Sequence, residues 1–92
     1  EAIAITGSSP NPFNPSTTIS FTVSAPERAE LSVYSASGQK IRTLVSGCMS
    51  AGEHSVVWDG RDDARIPVAS GVYLSRLVAG RRAATGKMVL LK

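Results

Sequence analysis

Ser8-Ser9-Pro10-Asn11-Pro12-Phe13-Asn14-Pro15-Ser16-Thr17-Thr18-Ile19 runs three prolines and two asparagines straight into Thr18 to Ser24, where Ile19, Phe21 and Val23 alternate with polar residues. Each proline locks its own φ at about −65° and biases the residue before it toward extended backbone. Residues 8–17 therefore read as a stiff, proline-rich, non-helical lead-in with few backbone donors, and a period of two follows it at once. Working outward, that period recurs. Strands are expected at Ala2 to Ile5, Thr18 to Ser24, Glu30 to Ser35, Lys40 to Val45, His54 to Trp58, Val72 to Ala79 and Ala83 to Leu91. A brief edge strand is expected at Ile66 to Val68, because Pro67 cannot donate to a ladder. Turn chemistry separates these runs at Ala25 to Arg28, Ser37-Gly38, Gly47 to Gly52, Asp59 to Asp63 and Gly80 to Arg82. The Ser37-Gly38 turn makes a hairpin of its two neighbours.

About seven short strands with turns between them define an all-β chain. The expected architecture is a two-sheet sandwich, immunoglobulin-like or fibronectin type III-like, forming a single domain over residues 1–92. Alternation assigns Leu31, Val33, Val56, Trp58, Tyr73 and Leu77 to the core side. The Cys…Trp…Cys pattern of antibody domains is absent, since Cys48 is the single cysteine.

Ninety-two residues suffice for one modest core and are too few for a cleft between subdomains. A chain 42% hydrophobic and 18% charged is too apolar for disorder, and no apolar run reaches the roughly 20 residues that cross a bilayer. A folded domain without a membrane-spanning segment is expected. No basic region followed by an apolar stretch starts at Glu1, which leaves the compartment open. Lone Cys48 rules out an intrachain disulfide and a thiolate metal cage, although an exposed thiol there could pair between molecules. Residues 1–63 hold four basic and seven acidic groups, a balance of −3, whereas residues 64–92 hold six basic groups and no acid. That asymmetry fits an anionic partner for the last third, or a sheet edge kept from self-pairing by its cations.

Catalytic chemistry finds little to stand on. His54, the single histidine, lies in a strand pattern with no nucleophile elbow nearby. Asp59, Asp62 and Asp63 are adjacent acids on one turn, poorly placed to flank a glycosidic bond. They are weak calcium candidates, since their spacing lacks the alternating acids and distal glutamate of an EF-hand loop. Local turn hydrogen bonds account for them equally well. No phosphate loop, helix-turn-helix or basic face interleaved with aromatics is present, so neither a cofactor nor nucleic acid is expected. A glycan-binding face would need exposed aromatics, and alternation sends several of Phe13, Phe21, Tyr34, Trp58 and Tyr73 inward.

Taken in order, Asn11-Pro12-Phe13-Asn14-Pro15-Ser16-Thr17-Thr18-Ile19, Leu31-Ser32-Val33-Tyr34 through Gly38, Ala51-Gly52-Glu53-His54, Trp58-Asp59-Gly60, Ser70-Gly71-Val72-Tyr73 and Lys87-Met88-Val89-Leu90-Leu91-Lys92 carry a family resemblance. The chain resembles the C-terminal sorting domain of type IX secretion cargo (type A), in the branch that is similar to the immunoglobulin-like domain of the flagellar hook-cap protein. The resemblance covers residues 8–92. It implies a non-catalytic bacterial module, secreted or at the cell surface, attached to an upstream cargo domain in the same precursor and read by outer-membrane secretion machinery. It implies further that Lys87, Met88, Val89, Leu90, Leu91 and Lys92 form the recognised terminal strand within residues 83–92. Asn11, Pro12, Phe13, Asn14, Pro15, Trp58, Asp59, Gly60, Gly71 and Tyr73 would then support the fold. A monomer is expected, its terminal strand open at a sheet edge for capture by strand addition, with Lys87 and Lys92 selecting the partner electrostatically. The other readings are a structural immunoglobulin-like spacer or hook-cap-like assembly domain, and a glycan- or calcium-binding accessory module. The chain departs from the family pattern at Arg65, where a turn glycine is common, and at Cys48, where proline is frequent.

Overall fold

The computed structural model describes Ile3 to Lys92, so the Ala2 end of the first expected strand lies outside the described residues. Seven strands follow in order: β1 (Ile3–Ser9), β2 (Thr17–Val23), β3 (Glu27–Ser35), β4 (Lys40–Met49), β5 (Gly52–Trp58), β6 (Gly71–Ala79) and β7 (Arg82–Leu90). No helix occurs among the described residues. The strands form two antiparallel sheets, ordered β1-β2-β5 and β4-β3-β6-β7, which are the two layers of an immunoglobulin-like sandwich.

Period-two patterning places the core between the layers. β2 buries Thr17, Ile19, Phe21 and Val23; β3 buries Ala29, Leu31 and Val33; β6 buries Tyr73, Ser75, Leu77 and Ala79. Met88 and Leu90 enter from β7, Trp58 from β5, and Phe13 from the loop between β1 and β2. Each large apolar side chain buried there stabilises the fold by roughly 1.5–3 kcal/mol.

The boundaries differ from the expected ones for identifiable reasons. β1 runs on to Ser9 because Ser8 and Ser9 pair with Ile19 and Thr18 past an irregularity between Ile5 and Gly7. That Thr6-Gly7-Ser8-Ser9 stretch lacks apolar alternation and so carries no strand signal of its own. β3 starts at Glu27 and β4 continues to Met49, since Glu27 to Leu31 pair continuously with Met49 to Val45. The loop expected from Gly47 to Gly52 shrinks to Ser50 and Ala51. Ile66 to Val68 is not a strand: Arg61 and Pro67 form one isolated bridge, and a ladder cannot spread through a residue without an N–H.

β1 closes one side of the sandwich by packing on β7, with Ile5 against Gly86. A Cβ at Gly86 would stand 2.9 Å from Ser75 Oγ and 3.1 Å from Ile5 Cγ2. Gly86→Val is expected to overpack this contact and cost about 1–3 kcal/mol. In a domain of this size, each kcal/mol lowers the melting temperature by about 4–8 °C, which a thermal melt will read.

Candidate functional site

The terminal strand is held on three sides. Met88 and Leu90 sink into the core at 0% and 1% exposure, and β6 pairs along the whole of β7, from Gly71–Leu90 to Ala79–Arg82. The third side is its outer edge, where the proline-rich segment lies. Phe13 N donates to Val89 O at 2.9 Å and Leu91 N donates to Phe13 O at 3.0 Å, a parallel bridge centred on Leu90. Two residues earlier, Asn11 Nδ2 donates to Lys87 O and Asn11 Oδ1 accepts from Val89 N, each at 3.0 Å. The Asn11 carboxamide thus stands in for a peptide group, offering one donor and one acceptor to the strand edge.

This geometry corrects the expectation of an open terminal edge. Lys87 O, Val89 N and O, and Leu91 N, which strand addition would have used, are already bonded within the chain. The prolines explain why this segment can lie there. Pro10, Pro12 and Pro15 bring no N–H that needs a partner, and Thr17 Oγ1 ties the segment back by donating to Pro10 O at 2.8 Å. The peptide bonds before all three are cis.

The residues assigned to fold support meet at the same pole. Phe13 and Trp58 have ring centroids 5.5 Å apart, and Trp58 and Tyr73 meet edge-on at 5.3 Å, within the range of favourable aromatic pairs. Trp58 Nε1 donates to Arg61 O at 2.9 Å, so its buried polar atom is satisfied. Tyr73 Oη donates to Ala69 O at 2.6 Å, in the manner of a tyrosine corner. Gly60 sits at φ +76°, and a Cβ there would stand 3.0 Å from Pro15 O, so the Trp-Asp-Gly turn needs glycine for both reasons. Gly71 begins β6 opposite Leu90, while Pro12, Asn14 and Pro15 are exposed around buried Phe13.

Turn bonding engages all three acids considered as calcium ligands. Asp59 Oδ1 accepts from Arg42 Nη1 at 3.0 Å and Arg61 N at 3.1 Å; Asp62 Oδ1 accepts from Ala64 N and Ile66 N, both at 2.9 Å. Asp63 Oδ1 accepts from Thr43 N at 3.1 Å, and Asp63 N donates to Ile41 O at 3.0 Å. Among the described residues no group of three or more metal-ligating side chains forms. These acids are engaged by local turn chemistry plus an edge contact with β4. Arg65 adopts φ +67° in this loop, the single non-glycine residue with positive φ among the described residues, a conformation that favours glycine. Cys48 is exposed on β4. His54 is half-buried, its ring stacked on Phe21 at 5.4 Å and its Nε2 donating to Ser50 O at 2.8 Å, the setting of a strand residue. Four of the five aromatics are buried and Tyr34 is half-buried, so no row of exposed rings forms for a sugar to stack on.

The family model for the FlgD Ig-like domain matches residues 8–83. The chain belongs to the FlgD Ig-like domain family. No match to a curated protein was found. Several solved structures share the fold. Dimeric latent PorU from Porphyromonas gingivalis is 18% identical with a TM-score of 0.77, covering 92% of this chain and 9% of its own. FlgD from Xanthomonas campestris, described for its hook capping in flagellar assembly, is 19% identical with a TM-score of 0.65, covering 95% and 64%. PorZ, described as an essential bacterial surface component of the type-IX secretion system of P. gingivalis, is 19% identical with a TM-score of 0.60, covering 94% and 11%. The chain thus spans under two thirds of each of these proteins, and about a tenth of PorU and PorZ.

Two outcomes are expected from this geometry. Asn11→Ala should remove two exposed hydrogen bonds, cost about 0.5–2 kcal/mol, and speed amide exchange at Val89 while leaving Met88 comparatively protected, as read by NMR hydrogen exchange. Burial pushes the Tyr73 phenol above its ordinary pKa, favouring the neutral form in the folded state. The unfolded phenol therefore ionises first, so this stability is complete below about pH 10 and declines as pH rises beyond it. Tyr73→Phe should cost about 0.5–1.5 kcal/mol at neutral pH through the lost Ala69 bond and flatten the alkaline decline in melting temperature.

Proposed function

We propose that this immunoglobulin-like domain is a non-catalytic secretion and sorting module whose address lies in Lys87 to Lys92. It would direct an upstream cargo domain of the same precursor through outer-membrane secretion machinery to a bacterial cell surface. The observation that carries the reading is the convergence of otherwise scattered sequence words on the terminal strand. Asn11 and Phe13 bond its outer edge, Gly60 packs against Leu90, and Gly71 and Tyr73 pair with Leu90 and Met88. A domain whose most constrained pole surrounds its last strand suits a module that presents that strand in one fixed shape. The fold shared with PorU and PorZ, the latter belonging to a type-IX system, supports the same reading.

A structural role is the second reading, favoured by the family match and by the fold shared with a hook-capping FlgD. In that case the module is a spacer or assembly domain that works through its sheet faces. The two separate in one experiment. A reporter is fused between a signal peptide and residues 1–92 in a type IX-competent bacterium and compared with a version lacking the last six residues. The sorting reading expects the complete fusion at the surface or in the medium and the truncated one in the periplasm. Equal retention of both removes that reading and leaves the structural one.

A further inference from the structure

Because Asn11 and Phe13 bond the outer edge of β7 from Lys87 O to Leu91 N, the groups of the terminal strand left free there are side chains. Met88 and Leu90 are buried, so within β7 that leaves the opposite face, which carries exposed Lys87 and half-buried Val89. Register extends this face across the four-stranded sheet. Val89 pairs with Val72, Lys87 with Leu74, and Leu74 with Tyr34. Val72 is 39% exposed, and Leu74 and Tyr34 are half-buried. The result is an apolar strip of Tyr34, Leu74, Val72 and Val89, with Lys87 beside it and exposed Arg76 two residues beyond Leu74 on the same face.

The charge on this face is one-sided. Residues 64–92 contain no acid. The carboxylate that shares the face, Glu30, is held below its ordinary pKa first by its hydrogen bond from Lys40 at 2.6 Å and then by that from Ser32 at 3.0 Å, so it is already engaged. Lys87 and Arg76 make no ion pair among the described residues.

We infer that the outer face of β6 and β7 is a docking surface for a protein partner with an apolar centre and a carboxylate-bearing rim, lying flat on the sheet without extending it. The inference rests on the sorting reading and supplies its chemistry: the apolar strip provides contact area, and Lys87 and Arg76 provide orientation and discrimination against cationic surfaces. Main-chain capture is the rival, and it requires Asn11 and then Phe13 to release the edge.

The test uses the same reporter fusion to residues 1–92, with each variant confirmed as folded by thermal melting. Val72→Glu and Lys87→Glu place negative charge on the face; Ser55→Glu places the same charge on exposed β5 of the other sheet; Lys87→Arg keeps the cation. Export is expected to fall about tenfold for the first two. Ser55→Glu and Lys87→Arg should stay within about twofold of the unmodified fusion. If deleting the last six residues blocks export while Val72→Glu and Lys87→Glu do not, the face is not the reader's surface although the sorting reading stands. If Asn11→Ala raises export while the face variants have no effect, main-chain capture replaces this inference. If the complete and truncated fusions behave alike, the sorting reading itself fails.

Discussion

The hydrogen bonds that Asn11 and Phe13 make to Lys87, Val89 and Leu91 govern the rest of this structure. They link residues more than seventy positions apart and cover the edge of the last strand from Lys87 to Leu91. Unpaired edge groups invite other chains, and proteins commonly blunt them with charge, bulges or covering loops. Here the cover is a loop rich in prolines, whose missing N–H groups create no new edge while Asn11 and Phe13 satisfy the old one. The arrangement also draws Phe13 into the core, where it is 2% exposed.

From Phe13 the order spreads through Trp58 to Tyr73, and the last two rings pass the constraint to opposite ends of one loop. Trp58 holds Arg61 O, Asp59 binds both Arg42 and the Arg61 backbone, and Tyr73 holds Ala69 O. The long connection between β5 and β6 is therefore a bonded shelf at both of its ends. This explains why short phrases such as Trp58-Asp59-Gly60 and Gly71-Val72-Tyr73, weak as single signals, belong together: they are separated in sequence and adjacent in space.

Much of the sandwich was legible because half-buried strands alternate. Ile19, Phe21 and Val23, or Tyr73 and Leu77, announce both their strand and their face. The Ser37-Gly38 turn likewise announces its hairpin, with Gly38 at φ +94°. What stayed hidden was lateral. Nothing local in Phe13 says that it will lie beside Leu90, since a parallel bridge across such a separation has no periodic signature. The same holds for Ser8 and Ser9, which are strand only because Ile19 and Thr18 pair with them. The Asp59 to Asp63 cluster reads as a ligand set in one dimension, yet its carboxylates face backbone amides in three. The residues flagged for fold support do assemble at one pole. The last strand was legible from its alternation, but its covered edge from Lys87 to Leu91 was not.

Asp63 has a counterpart role to Asn11 at the opposite margin of the same sheet, since it bonds Ile41 O and Thr43 N on β4. Near this pole the four-stranded layer is hemmed left and right by polar loop groups, so crowded copies cannot zip together there into a continuous ribbon. The hem stops at Thr43. From Leu44 to Met49 the margin of β4 carries neither charge nor proline, and Cys48 projects from it in the open. The two polar hems thus guard only the end of the sheet that holds Leu90.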